Sequence, residues 1–263
     1  MTDPTPLDRE EIARHAGAFD IEVHDLIDST QLRARERVQA GMRSAAAVIA
    51  DAQSGGRGQR GRTWQSPAGA AVYMTVIWPS ARPIAGLAGL SLVVGLAVRA
   101  TLAQWQLDAR LKWPNDVWVD QRKLAGILIE VVADRHHCNA LIGIGLNLDL
   151  PATAALAIDQ PWIDLKQLLD PAPPRNLLIA ALLRQLHDDL SRFDATGLAS
   201  FHDEWRRADA LAGRAIWLLE ASGPTPALAL GIDAIGRLIV DVGGQQRKLS
   251  AGEISIRLNE GDQ

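Results

Sequence analysis

The sequence predicts an α+β fold of unequal parts: a large domain whose apolar strands share one sheet beside amphipathic helices, then a small β-barrel. Three observations carry this expectation. Apolar segments of strand length, split by Gly, Pro and Asp turns, recur through residues 21–148. After Pro173-Pro174, Leu178, Leu182, Leu186, Leu190 and Phe193 recur at helical spacing. From Gly213 the chain changes to short strands between tight turns. The division falls at residues 1–211 and 212–263.

Residues 1–20 are polar and suggest no element. Ile21 to Ile27 alternates as a strand ending at Asp28-Ser29-Thr30, and Gln31 to Gly41 has helical character. Ala45 to Asp51 is a buried strand, Ser54 to Arg62 a glycine-rich loop and Ala71 to Trp78 a second buried strand. An apolar helix over Ile84 to Gln104 leads into Ala109–Lys112, where Pro114 forbids strand continuation. Val117–Val119 and Gly126–Val132 form a hairpin turning through Asp120 to Lys123, and Asn139–Leu148 is another buried strand. A short helix carries Phe201 and Trp205 one turn apart. Barrel strands are expected at 215–219, 227–232, 238–242, 247–249 and 254–256.

A net charge of -4 excludes the overall basic field of a general nucleic-acid binder. Local charge differs: no acidic residue lies between Asp51 and Asp108, whereas Arg57, Arg60, Arg62, Arg82 and Arg99 do. That stretch suits an anionic ligand. Cys138 is the only cysteine, so no internal disulfide forms and a cytoplasmic protein is expected. The N-terminal residues lack the layout of a secretory signal. The most apolar run, Ile84 to Val98, is too short for a bilayer and rich in Gly and Ala, which suggests a buried helix and no membrane partner.

Gly56-Arg57-Gly58-Gln59-Arg60-Gly61 fits a dinucleotide fingerprint literally, but no helix opens after it: Arg62-Thr63-Trp64-Gln65-Ser66-Pro67 follows. The residues instead describe a loop whose glycines admit close backbone approach to an anion while arginines supply forked, permanent charges. Lys112-Trp113-Pro114-Asn115-Asp116 then places a cation, an aromatic face, an amide and a carboxylate at a strand end. In Lys123-Leu124-Ala125-Gly126-Ile127-Leu128-Ile129-Glu130 a lysine stands at a hairpin mouth before a buried strand. Together they indicate a polyanion site. His136-His137-Cys138 has adjacent ligands that do not easily share one tetrahedral ion, so no protein metal site is expected.

In this order Ser29-Thr30, Gln53 with the Gly56–Arg62 loop and Trp64, KWPND, KLAGILIE, Gly143-Ile144-Gly145-Leu146-Asn147 and Gly252-Glu253-Ile254-Ser255 resemble the biotin protein ligases over nearly the whole chain. The resemblance implies a central mixed sheet with helices on one face, as in lipoate ligases, and an SH3-like barrel. It implies biotin contacts from Ser29, Thr30, Gln53, Gly56, Arg57, Lys123 and Gly126, with Ile127 lining the pocket. Gln59, Arg60, Arg62, Trp64, Asn115, Asp116 and Asn147 would border the nucleotide. Two positions depart from the common pattern: Gln59 replaces an arginine and Gln31 an asparagine. Only about twenty residues precede the first strand, too few for the winged-helix module of some members, so a form without a DNA-binding domain is expected.

The implied reaction activates biotin's carboxylate with ATP and transfers the biotinyl group to a lysine of a carboxyl carrier domain of acetyl-CoA carboxylase. Lys123, Arg62, Lys112 and Mg²⁺ would stabilise the charge gathering on phosphate oxygens, the ion held mainly by ATP phosphates. Asp116 would orient or deprotonate the acceptor lysine. A homodimer through the central sheet is also implied. A lipoate ligase and a non-catalytic biotin-binding module are the competing readings.

Overall fold

The computed structural model describes residues 6–133, 137–220, 223–252 and 254–259. The large part contains β1 (Asp20–Ile27), β2 (Ala46–Gln53), β3 (Ala71–Ser80), β4 (Arg110–Lys112), β5 (Asp116–Val119), β6 (Arg122–Ala133) and β7 (Cys138–Asn147). These pair in the order β1-β2-β3-β7-β6-β5-β4. β1 is parallel to β2 and the other neighbours are antiparallel, so the sheet is mixed. The helices are α1 (Arg9–Ala16), α2 (Thr30–Gln39), α3 (Leu90–Ala103), α4 (Ala152–Ala155), α5 (Leu165–Leu168), α6 (Arg175–Thr196) and α7 (His202–Ala208).

Alternation along the strands decides which face each helix takes. Ala47 and Ile49 of β2 face a core shared with α1, α3 and α6, and Ile127 and Ile144 join them. Ala46 and Val48 face the other way, against Ala34 and Val38 of α2. A parallel pair needs such a crossover, and α2 provides it between β1 and β2. The main helical layer therefore covers one face, and α2 covers part of the other. Each fully buried Leu or Val in the main layer stabilises the fold by roughly 1.5–3 kcal/mol.

Helix α1 gave no signal in the sequence because only Ile12 and Ala16 are buried along it. A side-chain cap compensates: Asp8 Oδ1 accepts from the Glu10 and Glu11 amides at 2.9 and 3.0 Å. The helix expected over Ile84 to Gln104 is interrupted: Ile84–Leu87 is a 3₁₀ turn, and Gly89 (φ 81°) precedes α3. A Cβ at Gly89 would lie 2.6 Å from Leu198 Cδ2, so glycine serves both the turn and the packing. By length and composition alone, Ile84–Ala103 would span a bilayer. Here most of α3 is buried in the core it shares with α6.

The C-terminal part contains β8 (Ala215–Glu220), β9 (Gly223–Ile232), β10 (Leu238–Val242), β11 (Gln245–Leu249) and β12 (Ser255–Leu258), ordered β11-β10-β9-β8-β12 and antiparallel throughout. Among the described residues no β11–β12 pairing closes it, so the expected barrel is an open five-stranded sheet. Its inward residues Ile216, Leu218, Ala229, Leu238, Val240 and Ile256 continue the core of the large sheet. His136 and Glu253 lie outside the described residues.

Candidate functional site

Strand register brings the sequence motifs into line. Lys112 pairs with Asp116, Asp116 with Gly126, Gly126 with Gly145, and Gly145 with Tyr73. The neighbouring row is Leu128, Gly143 and Thr75. Residues opposite one another across a ladder project to the same side, so both rows stand on the sheet face opposite the main helical layer. Tyr73, Thr75, Gly126, Leu128, Gly143 and Gly145 from these rows line an open cleft. Glycines at 126, 143 and 145 leave its floor as bare backbone.

Lys123 reaches this face through a bulge. Val117 pairs with Ala125, but Trp118 pairs with Lys123, so β6 contains one extra residue, Leu124. Without it, Lys123 and Gly126, three apart, would face opposite sides. The two-residue turn Asp120-Gln121, both at positive φ (50° and 60°), makes the hairpin tighter than the sequence suggested, and Lys123 lies inside β6. Its Nζ is 2.7 Å from Asp116 Oδ1 and 5.3 Å from the Trp64 ring centre. Lys112 Nζ stands 3.9 Å from Asp116 Oδ2. Burial holds the Lys112 ammonium below its ordinary pKa. Asp116 opposes this shift, while Lys123, Arg257 and Arg62 add to it. Arg257 of β12 is a contributor that the sequence reading missed.

The glycine-arginine loop folds back on itself. Trp64 N donates to Gly56 O at 3.0 Å, Gly58 N to Arg62 O at 2.8 Å, and Arg57 bridges Thr63. At Gly56 a Cβ would meet Trp64 O at 2.3 Å, so only glycine permits this approach. The Trp64 indole lies on the cleft floor: Cβ atoms at Gly145 and Gly126 would be 2.4 and 2.9 Å from its ring. Arg57 and Gln59 line the cleft. Arg60 instead donates to Ser255 Oγ of β12 at 2.7 Å, tying the loop to the C-terminal sheet.

The far end of the cleft is polar. Gln53 Oε1 accepts from the Thr30 amide (2.9 Å) and hydroxyl (3.2 Å), and Gln53 Nε2 donates to Ser66 Oγ at 2.9 Å. Thr75 Oγ1 has one proton for two acceptors, Thr30 Oγ1 at 2.9 Å and Gln31 Oε1 at 3.1 Å. Ser29, 1% exposed, lines the cleft with a hydroxyl that has no partner. A buried hydroxyl of this kind is costly until a ligand matches it.

Several sequence expectations need correcting. Ile127 does not line the cleft with its side chain: it is 2% exposed and points to α3, within 3.7 Å of a Cβ built at Gly95, leaving only its backbone for the cleft. Asn115 donates to Ile127 O at 2.8 Å, fixing the turn to β6. Asn147 is buried, its amide donating to Lys123 O and Ile163 O at 3.4 and 3.0 Å, so it braces Lys123 from below. Arg82 and Arg99 bond to Phe193 O and Ala109 O and take no part in the cationic site. Trp113, notable in sequence for its motif, is 1% exposed core. Sequence reasoning missed Tyr73 and Thr75 as lining residues. Among the described residues no group of three His, Cys, Asp or Glu side chains could hold a metal.

Comparison with known proteins follows the same two parts. The model of the Biotin/lipoate A/B protein ligase family matches residues 23–147, and that of the Biotin protein ligase C terminal domain matches residues 213–257. The Bifunctional ligase/repressor BirA of Escherichia coli is 34% identical over 259 residues, 97% of this chain and 79% of that protein. The Biotin--[acetyl-CoA-carboxylase] ligase of Mycobacterium tuberculosis is 32% identical over 212 residues, covering 79% of this chain and 77% of that protein. In fold, the chain resembles the biotin protein ligase from Aquifex aeolicus in complex with biotin and ATP, with a TM-score of 0.78, 24% identity and coverage of 91% of this chain and 99% of the other. Motif order, the aligned rows of the cleft and relatedness over almost the whole length agree, and the chain belongs to the biotin protein ligase family.

Proposed function

We propose that this chain is an ATP-dependent biotin ligase: it converts biotin to biotinyl-5′-AMP and passes the biotinyl group to a lysine of a carboxyl carrier domain of acetyl-CoA carboxylase. The observation that carries this reading is the polarity of the cleft. Its closed end offers an unpartnered Ser29 hydroxyl beside the hydrogen-bonded group of Thr30, Thr75, Gln31 and Gln53, the pattern that suits a neutral cyclic urea. Its open end sets Lys123 and Lys112 beside one carboxylate, with Arg62 and Arg257 close enough to act on the Lys112 charge, the pattern that suits phosphates. Between them the Trp64 indole lies on the Gly126 and Gly145 backbone, an apolar face that suits an aliphatic chain.

A carboxylate resists attack by an amine, and adenylation replaces its oxygen with a good leaving group. Lys123 and Arg62 would take the charge that gathers on the α-phosphate, while Lys112, held below its ordinary pKa, gains a proton-stabilising partner when phosphate arrives. Gln59 and Asn115 complete the nucleotide side, with Arg60 tying the loop to Ser255 and Asn147 bracing Lys123 from below, and Arg57, Gly56, Gln53 and Thr30 complete the biotin side. Asp116 is engaged by Lys123 in the free protein. A phosphate that draws Lys123 away would leave the carboxylate to orient the acceptor lysine. The donor set fits a magnesium ion carried on ATP: Asp116 is the one carboxylate of the row and two lysines flank it. Such an ion would supply charge neutralisation at the phosphates.

Residues 1–211 form the catalytic part and 212–263 the appended sheet in this reading, within a cytoplasmic homodimer. The outer edge of β4 is engaged at Leu111 by Asp209 and Ala210, which supports β1 as the edge used in the proposed homodimer. The deciding assay is biotin-dependent ATP–pyrophosphate exchange. Exchange with biotin and none with lipoate is expected; exchange with lipoate would favour a lipoate ligase, and none with biotin would leave a binding module.

A further inference from the structure

We propose that Trp118 seats the lysine that grips the leaving pyrophosphate: its indole face holds the Lys112 ammonium at the open end of the cleft, beyond Lys123. This rests on the biotin ligase reading above and concerns the part of the triphosphate that departs.

Trp118 is a buried aromatic with no core to fill. It is 8% exposed, yet it belongs neither to the core under the main helical layer nor to the one under α2. Its buried Nε1–H has no partner among the described residues, although a buried indole usually finds one, so no hydrogen bond accounts for the ring's placement. It stands two residues from Asp116 on β5 and opposite Lys123 in the ladder, which puts it on the cleft face. There Lys112 Nζ lies 5.0 Å from the centre of its ring. Trp64 takes Lys123 in the same way, at 5.3 Å.

The ammonium needs the ring because its counter-charge is shared. Asp116 Oδ1 is taken by Lys123 at 2.7 Å, and Oδ2 is 3.9 Å from Lys112 Nζ, so one carboxylate faces two ammonium groups. The Lys112 side chain is 14% exposed, and burial together with Lys123, Arg257 and Arg62 works against its charge while Asp116 supports it. An indole face attracts a desolvated cation. A second carboxylate would serve the lysine equally well but would repel phosphate. Position then assigns the anion. Lys112 lies on β4, two strands beyond Lys123, with Asp116 and Trp118 of β5 between them. With Lys123 at the α-phosphate, a further cation suits the charged pyrophosphate and not the neutral adenosine. Trp118 is thus a positioning residue that acts through Lys112.

The test is biotin-dependent ATP–pyrophosphate exchange on the full chain, with KM taken for ATP, pyrophosphate and biotin, and calorimetry for the Kd of preformed biotinyl-5′-adenylate. Trp118→Leu should raise KM for ATP and for pyrophosphate about 10-fold. KM for biotin and Kd for the adenylate, which lacks the pyrophosphate, should stay within about twofold. Trp118→Phe keeps an aromatic face and should lose no more than about threefold. In a Lys112→Met background Trp118→Leu should add less than about twofold, because the cation it seats is gone. An unchanged pyrophosphate KM in Trp118→Leu, equal losses in the Leu and Phe variants, a full loss persisting in the Lys112→Met background, or a parallel loss of adenylate affinity overturns the assignment. If Trp118→Leu does not fold, Trp118→Met against Trp118→Phe makes the same comparison. Absence of biotin-dependent exchange in the unmodified protein would instead overturn the biotin ligase reading itself.

Discussion

Gly56→Ala isolates the loop from the rest of the site. The new methyl carbon would sit 2.3 Å from Trp64 O and 2.5 Å from Ser66 Oγ, roughly 1 Å inside ordinary contact. Ser66 can rotate, but Trp64 O is backbone and can retreat only by opening the Trp64 N to Gly56 O bond. That motion also strains the neighbouring Gln53 N to Ser66 O bond at 3.1 Å. Two hydrogen bonds at about 1 kcal/mol each give about 2 kcal/mol, or roughly a 30-fold shift toward an open loop. In the proposed reading biotin binds the closed loop, so its KM should rise, by up to that factor, with ATP-independent thermal stability little changed since the loop is at the surface. Exchange kinetics and limited proteolysis at Arg57, Arg60 and Arg62 read the two effects. A variant with unaltered biotin KM and unaltered protease resistance would refute the claim that Gly56 holds the loop closed.

Lys123→Ala should cut biotin-dependent pyrophosphate release by about 10²–10³-fold without rescue by added Mg²⁺; near-normal release removes Lys123 from the chemistry. Asp116→Asn should slow single-turnover transfer from preformed biotinyl-adenylate by about 10²-fold, and unchanged transfer would confine Asp116 to adenylation or structure. Lys112→Met tests a stability linkage. The folded state holds Lys112 below its ordinary value of 10.5, so between the lowered value and 10.5 the unfolded chain binds more protons and stability rises with pH. Lys112→Met should thus be more stable than the parent near neutrality, with the advantage shrinking as pH approaches 10.5; urea melts showing it grow would contradict the sign.

Legibility followed physical periodicity. Strands β2, β3 and β7 were readable from their apolar runs, and the Pro114 break separating β4 from β5 from the missing amide. The cleft residues were readable where a motif marked them. Tyr73 and Thr75 were not, because every residue from Ala71 to Trp78 is buried and alternation cannot say which face is the cleft. Ile127 was misassigned for a related reason: its neighbour Gly126 faces the cleft, and strand geometry turns the next side chain away. The bond from Arg60 to Ser255 spans 195 residues, and no local signal announces it.

The buried Trp113 indole makes the two parts of the chain interdependent. Its Nε1 donates to Gly236 O of the β9–β10 turn at 2.9 Å, and Gly236 in turn packs on Gly89 and Leu92 at the start of α3. Trp113 sits between Lys112 and the Pro114-Asn115-Asp116 turn. Cutting away the C-terminal sheet would therefore remove that hydrogen-bond partner beside the Lys112–Asp116 row and uncover apolar surface on α3. The appended sheet thus acts as a brace for the KWPND turn, and the molecule should melt as one cooperative unit.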